Sequence, residues 1–333
     1  YAAGKLLEYG AKNVLIKGTG SYAPPHIRSN DFFEKVGSSD HWIREKLGIH
    51  ERRIALDETT SDLAAKAGIE AIRDAKLKSE DIDLIVVATA TPDRQAPSCA
   101  CFVQKKIKAT NAVAFDISAV CSGALYAICT AMQFVKTGVY NNILVIGADT
   151  FSTITDWSRR DSVFFGDGAG ALVLSGTSEN KGFIDFSMHT DSVGLDHFTI
   201  PGGGAELPSS KETVDSGSHF WQMNGQEIYS TAIDVLPKSI NQLLKKNNLS
   251  INDIDCLLPH QPSIRILRDI ADSIGMPFER VKTNMDRYAN TSGGTIPIVL
   301  DEVRKNEGFR PGQMVLFASI GAGMTWATAI YKW

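Results

Sequence analysis

The sequence predicts an α/β protein made of two similar halves, and two observations carry that reading. Short β-rich runs alternate with helix-length amphipathic runs, such as residues 63–75 and 228–244, the pattern of α/β units around buried sheets. The chain also repeats itself. Residues 81–92 (DIDLIVVATATP) resemble 253–262 (DIDCLLPHQP), and 142–149 (NILVIGAD) lie the same distance ahead of 314–321 (MVLFASIG). Residues 166–176 (GDGAGALVLSG) echo the C-terminal GAGMTWATAIYKW at a different spacing. Any one match is ordinary coincidence, but several in the same order are much less so. The halves are placed at 12–178 and 179–333, packed against each other.

Taken in order, residues 113–117 (VAFDI) read as a strand and 122–135 as an apolar helix, with Cys121 at the turn between them. Under the offset of the repeat, that turn falls near Asn290-Thr-Ser-Gly-Gly in the second half. Residues 190–218, rich in Gly, Ser and Pro, read as irregular loop. Residues 1–11 are left out of the fold argument because the chain opens on Tyr1 rather than Met. No signal-peptide pattern is read.

Composition narrows the function classes. At 333 residues the chain has ample material for a core. Its 43% hydrophobic and 22% charged residues are ordinary for a globular enzyme. A net charge of -4 argues against a protein built mainly to bind nucleic acid. No stretch approaches an uninterrupted membrane span. The five cysteines are odd in number and lack a framework spacing, which favours free thiols and a cytoplasmic protein.

Each chemistry-bearing residue has a structural reading beside its functional one. Cys99, Cys101, Cys129 and Cys256 read as small hydrophobes, and Cys-Ala-Cys at 99–101 has no nearby His or second Cys pair to complete a metal site. Cys121 differs. It sits at a strand-to-helix turn, where free N–H groups and the helix dipole favour thiolate, and Ser122, Gly123 and Ala124 leave room for substrate. His260 follows a strand-like run and Asn290 precedes a glycine turn; alone, each reads equally well as a structural residue. Together the three make a Cys/His/Asn set suited to acyl-thioester chemistry.

The ordered motifs GTGSYAP, SSDHWIREKLGIHERR, DISAVCSGALYAI, FGDGAGALVL, LLPHQPSIRI, YANTSGG and GAGMTWATAI resemble the β-ketoacyl-ACP synthase III family, condensing enzymes of the thiolase superfamily. The resemblance runs from about residue 14 to 333. It implies a duplicated, five-layered αβαβα thiolase-like fold and a homodimer. It implies Cys121 as nucleophile with His260 and Asn290 as catalytic partners, and an oxyanion hole from the Cys121 and Ala322 backbone. Trp42 and Arg159 match the pair that clasps the CoA adenine, with adjacent Arg160 leaving the alignment ambiguous, and Arg265 matches a basic position that docks acyl carrier protein. The implied reaction joins an acyl-CoA starter to malonyl-ACP by decarboxylative condensation, with acyl-CoA as substrate and neither metal nor redox cofactor.

Departures qualify this. Related elongating synthases use two histidines where this chain has His260 and Asn290, and thiolases carry a second cysteine where it reads SIGAGMTW. Ala96 stands where initiating members of the family often have an aromatic that contributes to the acyl pocket across the dimer, which predicts a larger pocket. Gln226 and Ser263 stand where the family commonly has asparagine, and Ala322 interrupts a glycine triplet. The alternatives left open are a specialised secondary-metabolite ketosynthase or acyltransferase of the same superfamily, a cysteine acyl-hydrolase, and a catalytically weak partner subunit.

Overall fold

The structure, a computed structural model, describes residues 13–333; residues 1–12, including the Tyr1 segment and the first residue of the predicted N-terminal half, lie outside the described residues. Nine strands form two main sheets. The first contains β1 (Asn13–Tyr22), β2 (Leu84–Ala88), β3 (Val113–Ile117), β4 (Asn142–Thr150) and β5 (Asp167–Thr177), in the order β1-β5-β4-β2-β3. The second contains β6 (Gly182–Thr190), β7 (Cys256–Pro259), β8 (Met314–Gly321) and β9 (Thr325–Lys332), in the order β7-β8-β9-β6. The strand senses correspond: β2 runs parallel to β4 as β7 does to β8, and the remaining neighbours along these shared positions are antiparallel in both sheets. The repeated segments of the sequence are these equivalent strands.

Only β3 lacks a full counterpart. Its place beside β7 is held by a single parallel bridge, Leu257 to Val281. Cys121 follows β3 and Asn290 follows that bridge, so both precede a helix at matching points of the repeat.

Helix α1 (Asp40–Leu47) packs to one side in a separate cluster, and six helices among the described residues complete the layers: α2 (Thr60–Asp74), α3 (Cys99–Ile107), α4 (Gly123–Lys136), α5 (Gly225–Lys246), α6 (Ile264–Ile274) and α7 (Thr295–Asn306). Helix α4 buries Leu125, Ile128 and Met132, and α7 buries Ile296, Val299 and Leu300, in one core shared by both sheets. A helix that is apolar nearly all round suits a middle layer, because it has a sheet on each side. Helices α2 and α3 cover the outer face of the first sheet, and α5 and α6 that of the second. The result is the five-layered αβαβα arrangement. Strand β2 shows why its sequence is continuously apolar: Leu84 and Val86 face the middle helices while Ile85 and Val87 face the outer ones.

The halves meet most tightly where β4 passes the Asn290 turn. A Cβ on Gly147 would lie 2.0 Å from the Gly293 carbonyl oxygen, so only glycine lets the strand and turn touch. Gly147→Ala is therefore expected to lower stability by about 3 kcal/mol, because backbone on both sides must move. A denaturant midpoint unchanged from wild type would contradict this reading.

Candidate active site

Between β3 and α4 the chain makes a strained turn. Val120, a β-branched residue, adopts φ +45°, and Cys121 follows it in the short 3₁₀ turn Val120–Ser122. The turn in the second half is built alike, with Ala289 at φ +56° and Ser292 at φ +51° on either side of Asn290. Such conformations cost on the order of 1–3 kcal/mol each and persist where surrounding structure over-determines them. Here the constraint is visible. Asp149 at the end of β4 accepts from Gly293 N–H at 3.0 Å, and on its other oxygen from Ala90 N–H at 2.7 Å and the Thr89 and Thr91 hydroxyls.

The three residues singled out from the sequence converge on one cavity of about 670 Å³, with Cys121, His260 and Asn290 all in its lining. The Cys121 thiol lies 3.7 Å from the Ser292 hydroxyl. Asn290 is pinned on every side except one. Its N–H donates to Phe164 O, its carbonyl accepts from Gly166 N–H, and its side-chain Oδ1 accepts from Ser292 N–H at 2.8 Å. This leaves the amide Nδ2 as a donor toward the thiol. His260 follows β7, its backbone N–H donating to Ala318 O at 2.8 Å and its Nδ1 lying 2.8 Å from the Thr295 hydroxyl.

Electrostatics corrects one expectation. The turn alone favours thiolate, but withdrawal from water pushes the Cys121 thiol up to about 12, against the opposing pull of Ser292 and Asn290; the Asp149 carboxylate adds to the rise. Burial likewise drives His260 down to about 3, so its imidazole is neutral at physiological pH. The thiolate fraction of Cys121 consequently grows tenfold per pH unit past pH 9. Alkylation by iodoacetamide, followed by intact mass, is expected to keep accelerating through pH 10, and a rate that levels off near pH 9 would contradict it.

Gly321 closes the site from β8: a Cβ there would sit 2.7 Å from Ser122 N and 3.0 Å from Cys121 N, so its backbone lies directly against the nucleophile turn. Ala322 lines the cavity beside it, its methyl packed against the cluster of Phe151, Phe165, Phe198 and Trp221. Ala96 is exposed on the surface and is absent from the lining, whereas Phe165 and Phe198 are part of it.

At the mouth, Trp42 and Lys46 of α1 and Arg265 of α6 line the opening. Arg265 projects its side chain largely into solvent and lies over the Tyr229 ring at 4.6 Å. The arginine expected beside Trp42 was Arg159; the structure instead sets Arg160 over that ring, 5.4 Å from its centroid. Arg159 turns inward, donating to Trp221 O at 2.9 Å and pairing with Asp161. The physical reason is local. Arg159 is extended and Arg160 opens the 3₁₀ turn Arg160–Val163, so the adjacent side chains leave in different directions. Sequence reading also missed Lys46, Asp149, Ser292 and Thr295. Of these only Ser292 carried a signal, within the Asn-Thr-Ser-Gly-Gly turn.

With this geometry in hand, comparison with known proteins is decisive. The family model for 3-oxoacyl-[acyl-carrier-protein (ACP)] synthase III matches residues 115–192, and that for its C-terminal part matches 244–333. A β-ketoacyl-[acyl-carrier-protein] synthase III of Clostridium acetobutylicum is 42% identical over 323 residues, covering 96% of this chain and 99% of that one. The chain belongs to the 3-oxoacyl-[acyl-carrier-protein] synthase III family. The Clostridioides difficile member is 44% identical over 96% of this chain and 98% of its own length. Among solved structures, the Aquifex aeolicus synthase III superposes with a TM-score of 0.89 at 35% identity, covering 96% of this chain and all (100%) of that one. The priming β-ketosynthase of the R1128 polyketide biosynthetic pathway gives 0.90 at 27% identity, covering 99% of each chain. The layered fold is accordingly the thiolase-type fold of this synthase family.

Proposed function

We propose that the chain joins an acyl-CoA starter to malonyl-ACP, releasing CO2 and CoA and leaving β-ketoacyl-ACP. The observation that carries the site assignment is the convergence of a thiol, a neutral imidazole and an oriented amide on the floor of one largely apolar cavity. Cys121 sulfur attacks the thioester carbonyl of acyl-CoA, the carbon–sulfur bond to CoA breaks, and the thiol proton ends on the CoA sulfur. Backbone N–H groups of Cys121 and Ala322 are suited to the developing oxyanion, since the Gly321–Ala322 backbone borders the Cys121 turn. Malonyl-ACP then loses CO2, and the electron pair of the broken bond forms an enolate. Neutral His260 and the Asn290 amide donate hydrogen bonds to the enolate oxygen, and its carbon attacks the acyl carbon and expels Cys121 as thiolate, which takes one proton from water to return to the thiol. For the CoA nucleotide the mouth offers Trp42, with the Arg160 guanidinium over its ring and Arg159 adjacent in sequence, as a clasp for the base, and Lys46 as a charge for the phosphates. Exposed Arg265 offers a charge to acidic ACP.

A second copy of the chain is part of this reading. Strand β3 is the edge of its sheet, with Val113 about half exposed (48%), so its outer hydrogen-bonding side is open to a partner strand. No helix among the described residues is long and apolar enough to cross a membrane. The assignment is tested by incubation with acyl-CoA and then malonyl-ACP. An acyl adduct on Cys121 that disappears as β-ketoacyl-ACP forms supports it; an adduct that only hydrolyses points to a hydrolase.

A further inference from the structure

The condensing step proposed above needs the Asn290 amide held beside Cys121, and the inference here rests on that reading. The two residues belong to different halves of the chain, so contacts across the halves must set their register. Gly293, three residues after Asn290, lies against the first half. A Cβ built on it would sit 3.3 Å from Ala88 O, at the end of β2, and 3.6 Å from Val120 O, just before Cys121. Both of those neighbours are backbone. A third is a side chain, that of Asp149 at the end of β4.

Asp149 is fully buried (0% exposed). Its Oδ2 accepts from Gly293 N–H at 3.0 Å, and its Oδ1 accepts from Ala90 N–H at 2.7 Å and from the Thr89 and Thr91 hydroxyls at 3.0 and 3.1 Å. None of these donors carries a charge. A buried anion held by hydrogen bonds alone is a costly choice for a position that only fills space. The residue type matters. A backbone N–H can only donate, and one faces each carboxylate oxygen. A carboxylate accepts at both ends, whereas an asparagine would set its NH2 against one of the two. The contact also restrains strain: Ser292, which precedes Gly293, stands at φ +51°, and its N–H is the donor that fixes Asn290 Oδ1.

We infer that Asp149 is a positioning residue for the condensing step: its carboxylate ties residues 89–91 of the first half to Gly293 of the second, and so holds the Asn290 amide in register with Cys121. The groups used in acylation lie elsewhere, on the Val120–Ser122 turn and the Gly321–Ala322 backbone. Asp149 also opposes the Cys121 thiolate, so removing its charge favours the nucleophile of the first step.

The test is a double-mutant cycle in single-turnover assays of wild type, Asp149→Asn, Asn290→Ala and the double variant. Acylation is followed by intact mass, and condensation by adding malonyl-ACP to pre-acylated enzyme. In Asp149→Asn, condensation is expected to fall by about 10- to 100-fold, the scale of a roughly 1 Å misplacement, while acylation is at least as fast as in wild type. In the Asn290→Ala background the same substitution is expected to change condensation by less than about threefold, because the group it positions is gone. A full, multiplicative loss in that background overturns the inference in favour of a purely structural carboxylate. Equal slowing of both half-reactions, or unaltered condensation in Asp149→Asn, overturns it as well. If Asp149→Asn does not fold, Thr89→Val, which removes one donor to Oδ1, takes its place. The expected loss of condensation is then about 3- to 10-fold with Asn290 present and absent without it, and an equal loss in both backgrounds overturns the inference. Failure of the underlying reading looks different: Asn290→Ala alone would then condense at the wild-type rate.

Discussion

Cys121→Ala is expected to eliminate the acyl-enzyme and to reduce β-ketoacyl-ACP formation by on the order of 10⁴-fold or more, the scale seen when a covalent nucleophile is removed. The substitution removes the one thiol in the cavity lining. The other four cysteines cannot take over. Cys99, Cys129 and Cys256 are buried, Cys101 is absent from the lining, and burial holds the Cys99, Cys129 and Cys256 thiols above the ordinary range. Intact mass after incubation with acyl-CoA gives the readout. An adduct of unchanged stoichiometry in Cys121→Ala would show that another residue carries the acyl group. The fold should survive, because the turn is held by backbone contacts and by the Ser122 hydroxyl bond to Thr325 O at 2.9 Å rather than by the thiol.

Asn290→Ala is expected to slow condensation by about 10²- to 10³-fold, while acylation of Cys121 falls far less. The argument is one of timing. The amide donor is aimed at charge that develops only after malonyl-ACP loses CO2, so its loss raises the second barrier selectively. Its orientation is set by Ser292 N–H on Oδ1, not by substrate, so the donor is in place before the reaction and no reorganisation is needed. The expected observation is a persistent acyl-enzyme after malonyl-ACP is added. Equal rates for Asn290→Ala and wild type in single-turnover condensation would remove the amide from the mechanism. Both variants probe the site independently, since one blocks the first half-reaction and the other the second.

Much of the fold was legible in sequence because buried parallel strands and a duplicated order leave strong local marks. Residues 113–117 appear as β3, and the helical runs at 63–75 and 228–244 lie within or beside α2 and α5. The missing fifth strand of the second sheet was not legible, since a single bridge at Val281 has no periodicity. Cys121, His260 and Asn290 were visible as residue types at turns, and the structure brings them together. What sequence could not supply depends on the third dimension. The direction of the thiol's acidity follows from desolvation at the cavity floor, which a turn motif does not encode. Which of Arg159 and Arg160 lies over Trp42 follows from the dihedral angles of a short turn, and Thr295 and Asp149 make their hydrogen bonds across the fold. The Ala96 expectation concerns a pocket completed across a dimer; within the single chain Ala96 is exposed and outside the cavity lining.

The central claim is that Cys121 carries the acyl group from CoA to the enolate. Its most direct measurement is a time-resolved intact-mass experiment in which acyl-CoA is added first, excess donor is removed, and malonyl-ACP follows. The account predicts one acyl adduct on Cys121 that decays at the rate at which β-ketoacyl-ACP appears. Formation of β-ketoacyl-ACP with no adduct on Cys121, or an adduct that persists while product accumulates, would contradict it.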